Sequence, residues 1–116
     1  MKLKVASLLA ISFFLMVLPI HALTLDRYES VKDDNVFKLY INGVGEGYSW
    51  ANVFLRREDR PPLYCPPEAM PLAADNYLYI LSSFIKKDRQ TPLKPNFPLE
   101  MLLMKALQEA FPCKGE

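Results

Sequence analysis

Two cysteines, one histidine and a few carboxylates are the residues of this 116-residue chain with chemistry to offer. Cys65 and Cys113 are too few for a cysteine-only zinc site, which takes four thiolates. In an exported chain such a pair forms one intramolecular disulfide by default, with a free thiol or an intermolecular bridge as the alternatives. The bridge would close a loop of 49 residues, and its effect on the unfolded chain is worth roughly 4 kcal/mol. Carboxylates pair at Asp33/Asp34 and Glu58/Asp59, but sequence neighbours on a helix do not face each other, so neither is a poised acid/base pair of the kind a hydrolase uses. The run Gly43-Val44-Gly45-Glu46-Gly47 lacks the final spacing and the preceding strand of a dinucleotide-binding glycine loop.

The histidine, His21, belongs to a segment with its own logic. Lys2 and Lys4 precede an apolar run from Val5 to Leu18, followed by Pro19 and the small Ala22, which is the layout of a secretory signal peptide. Fourteen residues are too few to span a bilayer as a helix. Cleavage after Ala22 divides the chain into a signal peptide, 1–22, and one helical domain, 23–116, and places the product in the periplasm. The remaining chain has no histidine, which excludes Ser-His-Asp and Cys-His catalysis and histidine-containing metal sites. Without catalytic, cofactor-binding or metal-ligating candidates, the expectation is a protein that is not an enzyme. With Lys2 and Lys4 removed, 12 basic residues face 13 acidic ones, a net charge of −1. Neither nucleic acid nor an anionic membrane finds a basic face here, and no cysteine adjoins the cleavage site to carry a lipid anchor.

The periodicity of the remaining chain is helical throughout. A short first helix is expected over Leu25–Ser30, capped by Thr24. The Asp33-Asp34-Asn35 cluster caps a longer one, with Phe37, Tyr40, Val44, Tyr48, Ala51 and Leu55 as its apolar stripe and a mixed-charge exit at Arg56–Arg60. Gly43, Gly47 and Ala51 recur every four residues, and close approach of another helix is the expected reason to keep glycines that each cost up to about 1 kcal/mol of helix propensity. Pro61-Pro62-Leu63-Tyr64-Cys65-Pro66-Pro67 cannot be helical and reads as a rigid connector. A third helix runs from Pro71 to about Asp88, with Tyr77, Ile80, Leu81 and Phe84 on one face. After a second proline-broken loop, Asn96 caps a fourth helix bearing Leu99, Leu102, Leu103, Ala106, Leu107, Ala110 and Phe111, which Pro112 ends. Met101 and Met104 widen that stripe, as core filler or as adaptable contact surface. Trp50 lies off the main stripe of its helix, either at the edge of the core or as an interface anchor. The fold class is all-α: a small four-helix domain stapled by one disulfide.

Three stretches together resemble the Rap/Tai immunity proteins of type VI secretion. They are Tyr40-Ile41-Asn42-Gly43-Val44 with Gly47, then Tyr64-Cys65-Pro66-Pro67-Glu68, then Pro98-Leu99 leading to Ala106-Leu107-Gln108-Glu109-Ala110-Phe111-Pro112-Cys113. The resemblance runs from about Asp26 to the C-terminus, and its most specific part is the pairing of C-P-P-E with A-F-P-C. It implies a small helical periplasmic protein that binds and blocks a peptidoglycan-cleaving amidase toxin. The chain departs from the family at one place: where many members carry a further cysteine pair, it has Tyr28 and Phe37, and an aromatic pair would replace that bridge by packing.

The function expected is therefore occlusion of a cognate cell-wall amidase effector. A periplasmic holdase of the acid-stress chaperone type, presenting Met101, Met104 and Tyr79 to unfolded clients, and an envelope accessory protein are the alternatives; a homodimer stays open. Rigid proline-bounded loops lose little entropy on docking. The expected contact set is accordingly Trp50, Tyr64 and Tyr79 as aromatic anchors, Arg57 and Glu58 beside the connector, and Lys94 in the second loop.

Overall fold

The computed structural model describes residues 22–68, 70–87 and 93–115. The leader up to His21, the last residue of the third helix as expected from sequence and the first part of the second loop lie outside these residues. Four helices are present: α1 (Leu25–Val31), α2 (Asn35–Arg57), α3 (Ala74–Lys87) and α4 (Leu99–Ala110). Among the described residues there is no strand, only an isolated antiparallel bridge between Thr24 and Pro98. The domain is all-α, with α3 packed against both α2 and α4, which touch each other more lightly.

Local chemistry sets each boundary. Asp34 opens α2 by accepting from the Val36 N–H at 2.7 Å. At the far end Asp59 adopts a left-handed conformation, φ 52°, while Arg60 N–H donates to Leu55 C=O at 2.9 Å and Asp59 N–H to Arg56 C=O at 3.2 Å. These two bonds make a Schellman closure with aspartate in the place usually held by glycine, and Pro61 forbids continuation. α3 begins at Ala74, not Pro71, because the Asn76 side chain reaches back to accept from Ala73 N–H at 2.8 Å, one half of a capping box.

Two expected caps are not used. Thr24 sits ahead of α1, but its hydroxyl donates to the Asp26 carboxylate instead of capping the backbone. Asn96 lies in a turn closed by Phe97 N–H on Lys94 C=O, and Pro98 holds the cap position of α4 without a side-chain bond. The exposed donor that opens α4 is met by tertiary structure: Leu99 N–H donates to Leu23 C=O at 2.8 Å. Helix termini leave such groups orphaned unless something supplies a partner, and here the segment before α1 supplies it.

The buried core gathers Phe37 and Ile41 from α2, Tyr77, Leu81 and Ile85 from α3, and Leu99, Leu102, Leu103, Ala106 and Leu107 from α4. Ala110 is exposed, while Phe111 is half-buried and packs against the core as its spacing implies. Met104 packs against the core from the side, while Met101 is largely exposed. Tyr28 and Phe37 meet edge to face with ring centroids 6.0 Å apart, the packing expected in place of a second bridge.

The core side of α2 is rotated from the expected stripe. Phe37, Ile41, Gly45 and Asn52 are buried, whereas Tyr40 is exposed and Val44, Tyr48, Ala51 and Leu55 are half-buried. A glycine and an asparagine do not register in an apolar count, yet they mark the line of closest packing. The close approach falls on Gly45, where a Cβ would sit 2.5 Å from the Tyr77 ring; nothing lies within 4 Å of a Cβ built on Gly43 or Gly47. The expected role of Gly43 and Gly47 within the fold is therefore corrected to Gly45.

The connector is held at three points. The buried Asn52 side chain donates to Tyr64 C=O at 2.9 Å and accepts from Leu63 N–H at 2.7 Å. Gln108 Nε2 donates to Leu63 C=O at 3.2 Å, and Cys65 N–H donates to Phe111 C=O at 2.8 Å. Cys65 and Cys113 are joined as a disulfide, with Cα atoms 5.0 Å apart, so the connector is stapled to the end of α4. Backbone lacking proline donors finds its hydrogen bonds in side chains instead.

Candidate functional site

The residues that stand out after folding lie on the outer side of α2. Successive helical residues turn by about 100°, which places Val36, Leu39, Gly43, Gly47, Trp50 and Phe54 in one stripe opposite Ile41, Gly45 and Asn52. Four of these are large and apolar, and they are 72%, 71%, 61% and 60% exposed for Val36, Leu39, Trp50 and Phe54. Glu46 and Arg57 are the charged residues along this face. A surface helix of a soluble domain ordinarily turns a polar face outward; one that is apolar on both sides carries contact surface beyond its own core. The two glycines in the middle of the stripe leave it a shallow waist.

Of the expected contact residues, Trp50 and Arg57 share this face and Glu58 follows as the C-cap of α2, where it pairs with Arg60 at 3.4 Å. Tyr64 is a correction. It is 1% exposed and part of the core, because the Asn52 clamp and the disulfide pull the connector inward; it cannot anchor a partner. Tyr79 is exposed on α3, overlooking a groove shared with Glu29, Lys32, Lys38 and Lys86. Lys94 is exposed in the turn before α4. These two stand on separate elements from Trp50, so the six residues do not form one patch. Val36, Leu39 and Phe54 were missed from sequence, although their spacing with Trp50 is a second helical stripe displaced from the first.

The ionisable side chains of the buried core cluster are phenols. Burial raises the phenol of Tyr77 to about 12, with the nearby Tyr64 and Glu46 adding to the rise and a hydrogen bond with Ser49 opposing it. Burial likewise raises Tyr48 and Tyr64. Asp34, Glu58 and Asp59 are engaged in the cap and the closure of α2. Among the described residues no three His, Cys, Asp or Glu side chains gather as a metal site, and no helix is long and apolar enough to cross a membrane.

No family model matches the chain, and neither a curated protein nor a solved structure matches it.

Proposed function

We propose that this chain is a periplasmic immunity protein of the Rap/Tai type, a binding protein and not an enzyme, that blocks a peptidoglycan-cleaving amidase effector by covering its cleft. The observation that carries the reading is the apolar outer face of α2, with Trp50 and Phe54 exposed on a helix whose opposite side is fully used by the core. Buried tryptophan and arginine at the centre of an interface dominate binding energy, and Trp50 and Arg57 occupy one face. The bonded C-P-P-E and A-F-P-C cysteines support the resemblance from an independent part of the chain. Protection by such a surface is stoichiometric, since no group on it is placed to destroy the toxin.

Titration of the purified, oxidised protein against the cell-wall amidases of the source organism tests this. The expected result is a one-to-one endpoint with wall digestion abolished, and loss of that endpoint in Trp50→Asp. Suppression of amidase activity at substoichiometric protein would overturn the reading. So would failure to bind any cell-wall hydrolase of the source organism, or equal protection of many unrelated aggregating clients, the behaviour of a holdase.

A further inference from the structure

Among the described residues, Glu100 Oε2 is the buried side-chain polar atom without a hydrogen-bond partner. Its companion oxygen accepts from the Tyr40 hydroxyl, and Tyr48 donates to the Glu100 C=O at 2.9 Å. A buried carboxylate oxygen calls for a donor, because an unsatisfied acceptor costs more than the hydrogen bond it would make. The groove it borders, about 540 Å³, is otherwise lined by Leu23, Val31, Val36 and Phe37, with Asp34 already occupied by the Val36 N–H and no cationic side chain present.

Ala22 and Leu23 line the same groove, and the segment they belong to is pinned. Leu23 C=O accepts from Leu99 N–H at 2.8 Å and Leu25 N–H donates to Phe97 C=O at 3.0 Å, on either side of the Thr24–Pro98 bridge. Residues in such an antiparallel pair direct N–H and C=O to the same neighbour. Leu23 is thereby held beside Leu99, the residue before Glu100.

We propose that hydrolysis of the Ala22–Leu23 bond by a leader peptidase completes this site: the new α-ammonium of Leu23 is the missing partner of Glu100. Water adds across the peptide bond, Ala22 departs with the carboxylate, and the Leu23 nitrogen takes up protons to become a cation with three donors. Before cleavage the same nitrogen is a neutral amide. Maturation thus locks the N-terminus to α4, and the precursor lacks that lock. The inference rests on reading residues 1–22 as a cleaved leader and is independent of which partner the protein binds.

The buried core lies between Tyr28 and Leu107, so a chain beginning at Leu23 contains the whole fold. Four oxidised proteins are compared by thermal unfolding: chains beginning at Leu23 or at one added glycine, each with Glu100 or with Glu100→Gln, which keeps an acceptor for Tyr40. The added glycine is expected to lower Tm by about 4–8 °C when Glu100 is present and to leave it unchanged in Glu100→Gln. A loss of equal size in both backgrounds, or no loss in either, overturns the pairing. Should Glu100→Gln fail to fold, NMR titration of the Leu23 α-amine decides: a pKa above the ordinary value of about 8 supports the pair, and one at or below it sinks it. Mass spectrometry of exported protein showing a start other than Leu23 overturns the proposal while leaving toxin binding untouched.

Discussion

Gly45 and Tyr77 meet where α2 and α3 pack most closely, and a Cβ on Gly45 would lie 2.5–2.6 Å from three carbons of the Tyr77 ring. Tyr77 is 1% exposed, so the absence of a side chain on Gly45 lets the two helices come this close. Gly43 and Gly47, two residues to either side, face open space. Three glycines of one short run thus differ in what they do for the fold.

Substitution should separate them by sign. Gly45→Ala is expected to destabilise by about 1–3 kcal/mol through overpacking, despite the better helix propensity of alanine. Gly43→Ala and Gly47→Ala should each leave stability unchanged or raise it by up to about 1 kcal/mol. Urea unfolding of the three variants checks this, and the Gly43 and Gly47 variants also report on the outer face: if the proposed amidase docks there, added methyl groups should weaken its binding without loss of stability.

Asn52 is buried and satisfies two backbone groups of the connector. Asn52→Ala strands a donor at Leu63 and an acceptor at Tyr64, and a loss of roughly 2–4 kcal/mol is expected. Hydrogen exchange should show the Leu63 amide losing its protection well before global unfolding.

Replacing both cysteines, Cys65→Ser with Cys113→Ser, should cost about 4 kcal/mol by releasing the 49-residue loop in the unfolded chain. The denaturation midpoint of the reduced wild type should match that of the double variant; a midpoint equal to that of the oxidised protein would contradict it.

The two aromatic residues expected together as anchors should part company. Tyr64→Ala empties a fully buried site and is expected to cost about 3–5 kcal/mol of folding stability. Trp50→Ala, at an exposed position, should change stability by no more than about 0.5 kcal/mol while weakening binding of the proposed amidase partner by about 2 kcal/mol. Calorimetric unfolding and binding titrations on the same preparations separate the two effects.

Alkali should unfold the protein through its buried phenols. Burial holds Tyr77 at about 12 in the folded state, above the value of about 10 in an unfolded chain. A raised folded value means the contribution is complete below about pH 10 and is lost as pH climbs toward 12. Urea midpoints should fall over that window, and Tyr77→Phe should flatten the decline.

Local rules were enough for the all-α class, the four helices and their order and the rigid connector: a helical period, proline's missing donor and aspartate at a helix start; the cysteines read as a bridge by default, and the structure pairs them. Packing alone decided which face of α2 turns inward. Gly45 and Asn52 define that face through a close ring contact and two hydrogen bonds to residues far along the chain, and neither property is visible in a count of apolar side chains. The same rotation exposes Val36, Leu39, Trp50 and Phe54, and the Asn52 clamp draws Tyr64 out of reach of a partner. The cap of α4 likewise came from a distant carbonyl, Leu23, in place of the nearby Asn96. Caps and periods are interactions within a turn or two, whereas burial is settled by which surfaces meet, and that depends on residues brought together only by the fold.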